Sequence, residues 1–232
     1  MTVTENAVDS DWSTRGDESG WSETRPPAEV LDAAYAGEPC VIVREDGAVR
    51  PLPVERWQDD ADEDDHALFV RACTGDVLDV GCGPGRLTRA LAYAGQGRHT
   101  LGIDTSHEAV RQASARGANA RRRNVFQHLP THWDHVVLAD GNIGIGGDPA
   151  YLLSRCAELV RVGGRVMVEV APEGGVEQHR MHLRLGGSRS ESFEWAHVGI
   201  DGINALAEDA GLGVEGIASS AGRQVATLVR KE

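Results

Sequence analysis

A glycine-rich stretch and the aspartate that follows it carry the clearest chemical signal in the sequence. Residues 79–85 read Asp-Val-Gly-Cys-Gly-Pro-Gly, directly after an apolar run that begins at Val77. Glycines permit a sharp turn and leave bare backbone against which a ligand can lie. Asp104 ends the next apolar run, and an acidic residue about 20 positions after such a loop accepts hydrogen bonds from ribose hydroxyls. The pattern predicts an adenosine-containing ligand at the carboxyl ends of the first strands.

The sequence around this signal alternates short apolar runs with amphipathic segments. Such alternation is typical of a parallel sheet with helical crossovers. We expect the helix before the last of these strands to end at Gly163 and Gly164. The predicted fold class is α/β, a Rossmann-like doubly wound, mostly parallel sheet with an antiparallel C-terminal edge strand. The apolar runs interpreted as strands are 77–80, 100–103, 119–124, 134–139 and 165–170, followed by a hairpin of 213–218 with 224–229.

Length, charge and cysteine content narrow the class of protein. The 232 residues suffice for one α/β domain with an extension. The net charge of −13 resides in the first 65 residues, which leaves the remainder neutral. Since phosphate contact needs a cationic face, we expect no nucleic-acid partner. The four cysteines are isolated, which favours reduced thiols in the cytoplasm, and the chain has no apolar run long enough for a membrane span.

Residues 79–85 resemble motif I of the class I S-adenosylmethionine-dependent methyltransferases, in the small-molecule, bacterial branch of that superfamily. The resemblance continues through residues 102–106 (Gly-Ile-Asp-Thr-Ser) and the turn at 162–165. It implies an enzyme that transfers a methyl group from S-adenosylmethionine to a small-molecule acceptor, with secondary metabolism as one setting. The alternative is a protein that binds the cofactor but does other chemistry or serves as a binding module. A nicotinamide-dependent oxidoreductase is less favoured, because its third glycine falls later.

The resemblance also assigns the cofactor contacts. Asp104 would bind the ribose hydroxyls, and Asn124 would accept a hydrogen bond from the adenine amino group in place of the aspartate common in the family. Asp140 would lie beside the methionine moiety, or else serve only as a turn residue. Cys82 fills space in the loop rather than acting as a nucleophile. The full set is Asp79, Gly81, Cys82, Gly83, Gly85, Arg86, Asp104, Thr105, Asn124, Val125, Phe126, Asp140, Gly141 and Asn142.

The domain organisation is predicted from composition and spacing. Residues 1–28 form an acidic, disordered tail, because they contain few apolar side chains to bury. Residues 29–74 form a hairpin and a helix that cap the active site, and residues 75–232 form the S-adenosylmethionine-binding domain. The acidic run 59–65 begins a helix; a divalent-metal site is the alternative, and we expect no metal. The oligomeric state stays open, with a homodimer among the options.

A long insertion at 173–198 separates the fifth strand from the last helix. Residues 181–185 and 192–196 alternate in polarity around a Gly-Gly-Ser turn, which predicts a hairpin that forms a lid over the acceptor. The alternative is an edge extension of the sheet that buries Leu183 and Trp195. Contacts to the acceptor are predicted for His182, Arg184 and Trp195, and candidates for a general base are His179, His182 and His197.

Overall fold

Two β-sheets organise the computed structural model, which describes residues 23–95 and 99–231. Most of the predicted tail lies outside these residues. Its last part, 23–28, forms a short strand and begins a helix instead of continuing the tail. The N-terminal elements are β1 (Glu23–Arg25), α1 (Pro27–Tyr35), β2 (Cys40–Arg44), β3 (Val49–Pro51), α2 (Val54–Gln58), α3 (Glu63–Asp65) and a π-helix at His66–Val70.

The larger sheet has seven strands in the order β12-β13-β8-β7-β4-β5-β6. The strands from β6 to β8 are parallel, and β13 runs antiparallel to β8. The predicted fold class and the predicted C-terminal hairpin are therefore confirmed. Its elements are β4 (Val77–Val80), α4 (Arg86–Ala94), β5 (Thr100–Asp104), α5 (His107–Ala115), β6 (Ala120–Arg122), β7 (Trp133–Leu138), α6 (Pro149–Leu159), β8 (Val160–Val170), α7 (Ile203–Asp209), β12 (Leu212–Ser220) and β13 (Arg223–Arg230).

Both faces of the larger sheet are covered, which explains why its strands are apolar at successive positions. Leu78 and Val136 face a core that includes side chains of α6 and α7. Their neighbours Val77 and Val137 face the opposite core, with side chains of α4 and the π-helix. Successive side chains of a strand point to opposite faces. A strand that is buried on both faces is therefore continuously apolar.

The boundary between α6 and β8 differs from the predicted one. The helix ends at Leu159 rather than at Gly163 and Gly164, and the strand begins at Val160. Val160 pairs with Trp133 of β7, and the register shifts between Trp133 and His135. Gly163 has a φ of +73°, which suits such an irregularity. Pairing with the neighbouring strand thus outweighs the local helical pattern.

The smaller sheet combines N-terminal strands with strands of the insertion 173–198. Its order is β1-β10-β9-β2-β3, and β11 also pairs with β9. The insertion forms a hairpin, but its register differs from the predicted one: β11 pairs with residues 176–181 of β9, and β10 pairs with Arg184 and Leu185 across the turn. The other edge of β9 pairs with β2, which belongs to the N-terminal hairpin. The two predicted units 29–74 and 173–198 therefore contribute to one sheet. The strands of the insertion are β9 (Val176–Leu185), β10 (Ser188–Ser190) and β11 (Phe193–Val198).

Helix α1 connects the two sheets. It packs against α5 and against β9. The Oδ1 atom of Asp32 accepts hydrogen bonds from Ser106 Oγ (2.5 Å) and from the backbone N of Glu108 (3.0 Å), at the start of α5. Val30 and Leu183 belong to one buried apolar cluster beneath this contact. No helix among the described residues is long and apolar enough to span a membrane.

Candidate active site

A cavity of about 970 Å³ lies between the two sheets. Its floor is formed by the carboxyl ends of β4, β5, β7 and β8, and its walls come from α1, the β2–β3 hairpin, α2, β9 and β11. All of the predicted cofactor residues except Gly85 line this cavity. Ligands of open α/β sheets bind at the carboxyl ends of the strands. The cavity is therefore the candidate active site.

The glycine loop needs its glycines for conformation and for space. Gly81, Gly83 and Gly85 have φ values of +72°, +51° and +87°, a region that favours glycine. A Cβ atom on Gly81 would lie 2.6 Å from Nδ2 of Asn142, and one on Gly85 would lie 2.8 Å from Cβ of Ala113. Gly85 thus allows the start of α4 to pack closely against α5 behind the loop. Gly81 and Gly83 leave bare backbone at the cavity.

Asp104 ties the glycine loop to the end of β5. One carboxylate oxygen accepts a hydrogen bond from Gly83 N (2.9 Å), and the other accepts one from Ser106 N (2.8 Å). Burial raises the pKa of Asp104, and these backbone hydrogen bonds oppose that shift. Each carboxylate oxygen has two acceptor positions, so a ligand hydroxyl can be bound beside the backbone donors.

Asp79 and Asn142 fix the other side of the loop. Asp79 is 2% exposed, and its Oδ2 accepts a hydrogen bond from Thr88 Oγ1 at 2.6 Å. Burial raises the pKa of Asp79 to about 6, although the Thr88 hydrogen bond and the charge of Arg86 lower it. Asn142 donates from Nδ2 to the carbonyl oxygens of Val80 (2.9 Å) and Gly81 (3.0 Å). Both predicted residues thus order the loop.

The segment after β6 lies at the far end of the cavity. The Oδ1 atom of Asn124 accepts a hydrogen bond from Phe126 N at 2.9 Å, which closes a turn. Val125 is buried, and the ring of Phe126 stacks on Tyr151 with centroids 5.1 Å apart. Thr105 lines the same cavity. These residues form a cleft with apolar walls, suited to a planar base.

A cluster of five buried or half-buried charged residues lies under the loop, at the carboxyl ends of β7 and β8. Arg86 forms ion pairs with Asp65 and Asp140. Arg223 binds both carboxylate oxygens of Glu169, at 2.7 and 2.9 Å, and Oδ1 of Asp65 at 2.8 Å. Asp140 has a φ of +51°, and its backbone N donates to Glu169 at 2.8 Å. The cluster therefore holds the strained turn after β7 in place.

The charged residues of the cluster shift one another's pKa values. Burial alone would raise the pKa of Asp65, but hydrogen bonds and charges from Arg86 and Arg223 lower it to about 2. Burial would lower the pKa of Arg86, and Asp140 and Asp65 raise it. Burial would likewise lower the pKa of Arg223, and Glu169 and Asp65 raise it. Asp65, Arg86 and Arg223 therefore stay charged across the physiological range.

The acidic run 59–65 is distributed among arginines instead of gathering around one point. Asp60 binds Arg89 (2.6 Å) and Arg116 (2.8 Å), and Asp62 binds Arg56 at 3.0 Å. Asp62 also caps α3, as expected for a helix start. Within 23–95 and 99–231, no group of side chains is arranged to hold a metal ion.

The part of the cavity lined by β9 and β11 differs from the prediction for the hairpin. Trp195 and His197 of β11 line the cavity, together with Leu183 of β9. His182 and Arg184 flank Leu183 and therefore project from the opposite face of the sheet; neither lines the cavity. Of the three predicted acceptor contacts, Trp195 alone therefore lies at the cavity, because the hairpin turns mainly its apolar face toward it.

The three candidate histidines have different positions. His197 lines the main cavity and also, with Gly141 and Glu169, a small cavity beside it. The ring of His179 lies behind His197, with centroids 5.4 Å apart, and its Nε2 is 3.2 Å from a carboxylate oxygen of Glu177. His182 faces away. His197 is thus the candidate that the structure brings to the carboxyl ends of β7 and β8.

Sequence reasoning missed several residues of the site. Tyr35, Arg56 and Trp57 reach the cavity from α1 and α2, and Glu169 and Arg223 lie beneath it. Burial raises the pKa of the Tyr35 hydroxyl, with Asp104 contributing. Glu169 alone had a local signal, as an acid in the otherwise apolar run 166–170. The others have none, since only the fold places them at the cavity.

Cys82 lies in the loop as the predicted space filler. It is 8% exposed, and burial raises the pKa of its thiol, with the charges of Asp79 and Asp104 adding to the effect. The thiolate is therefore disfavoured, and the thiolate is the nucleophilic form of cysteine.

Comparison with known sequences finds methyltransferases. Residues 77–164 match the family model described as a methyltransferase domain. The chain is 31% identical over 122 residues to trans-aconitate 2-methyltransferase of Mycolicibacterium gilvum, which covers 53% of this chain and 46% of that protein. It is 32% identical over 101 residues to ubiquinone biosynthesis O-methyltransferase of Xylella fastidiosa, covering 40% of each. The matches thus span less than half the length of these relatives.

Comparison with solved structures extends the similarity to nearly the whole fold. A methyltransferase from Bacteroides fragilis in complex with S-adenosyl-L-homocysteine is 17% identical, with a TM-score of 0.74 over 95% of this chain and 99% of that one. CalS10, an amino pentose methyltransferase from Micromonospora echinaspora, is 15% identical, with a TM-score of 0.54 over 76% and 94%. Residues 77–164 are thus similar to a methyltransferase domain, and the chain shares the fold of S-adenosylmethionine-dependent methyltransferases.

Proposed function

We propose that the protein transfers a methyl group from S-adenosylmethionine to a small-molecule acceptor bound between the two sheets. The observation that carries the proposal is the joint position of the glycine loop and Asp104 at one continuous cavity, which extends beneath the smaller sheet. One end of this cavity fits a nucleoside, and the other leaves room for a second molecule. Cavities of 300–1,000 Å³ are usual for ligand sites, and this one lies at the upper end of that range.

The residues present fit the cofactor. Gly81 and Gly83 present bare backbone in a left-handed conformation at the cavity. Asp104 provides acceptors for the ribose hydroxyls, and the cleft of Val125 and Phe126 suits the adenine. Asp140 and Asn142 lie where the methionine moiety would be held. When bound, S-adenosylmethionine supplies an electrophilic sulfonium methyl group. The residues of the chain then have to align the acceptor and exclude water, since alignment alone accounts for about 7–11 kcal/mol of such a barrier.

We further propose that His197 takes the proton of the acceptor where the acceptor must lose one. Its ring lines the cavity beside Gly141, and so lies near the methionine end of the proposed cofactor site. His179 and Glu177 follow behind it toward the surface.

The setting of the reaction is part of the proposal. We propose a cytoplasmic enzyme whose partner is a small molecule rather than nucleic acid, with secondary metabolism as one setting and a homodimer as one assembly. The net charge of −13 supports a partner other than nucleic acid. The acidic side chains that line the cavity, which we propose as cofactor contacts, likewise fit a small-molecule partner.

Calorimetry with S-adenosylhomocysteine tests the cofactor site. Asp104→Ala removes two hydrogen bonds to a charged acceptor, each worth about 1.5–3 kcal/mol, so we expect at least a tenfold loss of affinity. Asp46→Ala is the matched control, because Asp46 also accepts a backbone hydrogen bond but lies in the β2–β3 turn. Equal affinities of Asp104→Ala and the parent protein would remove the basis of the proposal.

Turnover tests the role of His197 and separates an enzyme from a binding module. An acceptor is first found by incubating a metabolite extract with labelled S-adenosylmethionine. His197→Gln is then expected to lower kcat by about 10²-fold with unchanged affinity for S-adenosylhomocysteine, whereas His182→Gln, on the opposite face, leaves kcat within twofold. Labelling of no extract component would favour a binding module instead. A normal kcat in His197→Gln would exclude this residue as the base.

A further inference from the structure

We infer that the acceptor is a neutral, largely apolar molecule that carries a ring, rather than a polycarboxylate. The inference rests on the proposed function and specifies its substrate class. It comes from the wall of the cavity that the cofactor residues do not form, which we call the acceptor wall. This wall consists of Leu31, Ile42, Leu52, Trp57, Phe193 and Trp195.

The strand register explains why the acceptor wall is apolar. Ile42 of β2 pairs with Leu183 of β9, so both side chains lie on the same face. Phe193 pairs with Met181, two residues before Leu183, and Trp195 follows Phe193 on that face. Side chains that alternate with these, such as Val41, project from the other face. The apolar surface is thus continuous across three strands.

Aromatic side chains reach the acceptor wall from helices α1 and α2 and from strand β11. Trp57 lies 6.1 Å from Tyr35, with the ring planes tilted by 51°. Phe193 lies 6.4 Å from Trp195, in an edge-to-face arrangement at 82°. All four rings line the cavity. Aromatic rings attract another ring in offset or edge-to-face geometry, so they favour an acceptor with a ring.

Five arginines line the cavity, and three of them are engaged by acids. Of the other two, Arg123 lies after β6, next to Asn124, and Arg50 of β3 pairs with Ile42 at the edge of the acceptor wall. Arg86 and Arg223 are held by acidic side chains at hydrogen-bond distance. Arg56 lies 3.0 Å from Asp62 and faces Asp65 and Asp140 at 3.7 and 3.9 Å. A carboxylate of the acceptor would have to compete with these acids.

Acidic side chains add to this effect. Asp140, Glu169 and Glu194 also line the cavity. A buried carboxylate needs a cationic partner, because the loss of hydration is otherwise not compensated. A tricarboxylate would therefore meet apolar rings and like charges, whereas a neutral ring would meet a surface that matches it.

Binding to the protein saturated with S-adenosylhomocysteine tests the inference. Calorimetry compares 2-naphthol, a neutral two-ring probe, with trans-aconitate, a tricarboxylate. We expect 2-naphthol to bind at least tenfold more tightly. The inference is overturned if trans-aconitate binds as tightly as 2-naphthol or if 2-naphthol does not saturate the protein.

A matched pair of variants tests whether the acceptor wall is the binding surface. Ile42→Glu places a carboxylate on the wall, whereas Val41→Glu places one on the other face of the same strand. We expect Ile42→Glu to weaken 2-naphthol at least tenfold and Val41→Glu less than twofold, with S-adenosylhomocysteine affinity unchanged in both. Equal effects of the two variants would overturn the assignment. Failure of the parent protein to bind S-adenosylhomocysteine would instead contradict the proposed function.

Discussion

The two sheets of this protein contribute to one cavity in different ways. The central strands of the larger sheet are buried on both faces, and the polar groups that they present to the cavity lie at their carboxyl ends, where Asp79, Asp104 and Asp140 lie. The smaller sheet presents a mostly apolar face to the cavity and directs His182 and Arg184 away from it. The larger sheet thus holds a few polar atoms at fixed positions, whereas the smaller sheet supplies apolar contact area.

The difference explains how one fold accommodates different acceptors. The part of the cavity formed by the glycine loop, Asp104 and residues 124–126, which we call the cofactor side, is held by hydrogen bonds to backbone N–H groups. The smaller sheet joins the N-terminal hairpin to the insertion 173–198, and its strands contribute no residue to the glycine loop. The two sides meet at the charge cluster and at the contact between β11 and the turn at 142–147.

The largest expected effect tests whether the charge cluster supports the cofactor side. Asp65→Asn leaves Arg86 and Arg223 buried with one charged partner fewer, so we expect a loss of about 3–5 kcal/mol in the free energy of unfolding at pH 7. Asp60→Asn is the control, because Asp60 is 75% exposed and such ion pairs contribute about 0–1 kcal/mol. Urea unfolding measures both.

The same variant has a pH signature. The pKa of Asp65 is about 2 in the folded protein, below its ordinary value, so its contribution is present above about pH 4 and is lost as the pH falls toward 2. The difference in stability between the parent protein and Asp65→Asn should therefore shrink over that window. A difference that stays constant down to pH 2 would show that the carboxylate charge is not what stabilises the cluster.

A smaller effect is expected at Asp79, on the cofactor side. Its pKa of about 6 lies above the ordinary value, so the folded state holds the proton more tightly than the unfolded chain. Stability should fall as the pH rises from about 4 to 6, by about 3 kcal/mol. Asp79→Asn should abolish that fall, and Thr88→Val should extend it to higher pH. An unchanged slope in Asp79→Asn would contradict the shift.

The smallest effect tests the contact between the two sides. A Cβ atom on Gly144 would overlap the carbonyl oxygen of Ala196 and the indole of Trp195. We expect Gly144→Ala to lower the free energy of unfolding by about 1–3 kcal/mol. Gly216→Ala is the control, because the space around Gly216 is open. Equal thermal stability of the two variants would show that β11 moves away from the turn at no cost.

The sequence by itself determined the cofactor side. The glycine loop, Asp104 and residues 124–126 are local patterns whose spacing along the chain fixes their spacing in the fold, because consecutive parallel strands end at one edge of the sheet. The C-terminal hairpin also followed from spacing, since its two runs are adjacent in sequence. In each case the interaction joins near neighbours.

Only the tertiary structure determined which side chains of the insertion line the cavity. Alternation in the insertion 173–198 showed that the hairpin has two faces, but not which face covers the site. That choice depends on the pairing of β9 with β2, more than 100 residues earlier. Asp65 and Arg223 likewise meet across 158 positions. Such contacts leave no periodic trace in the sequence, because burial and charge pairing act on distances in space.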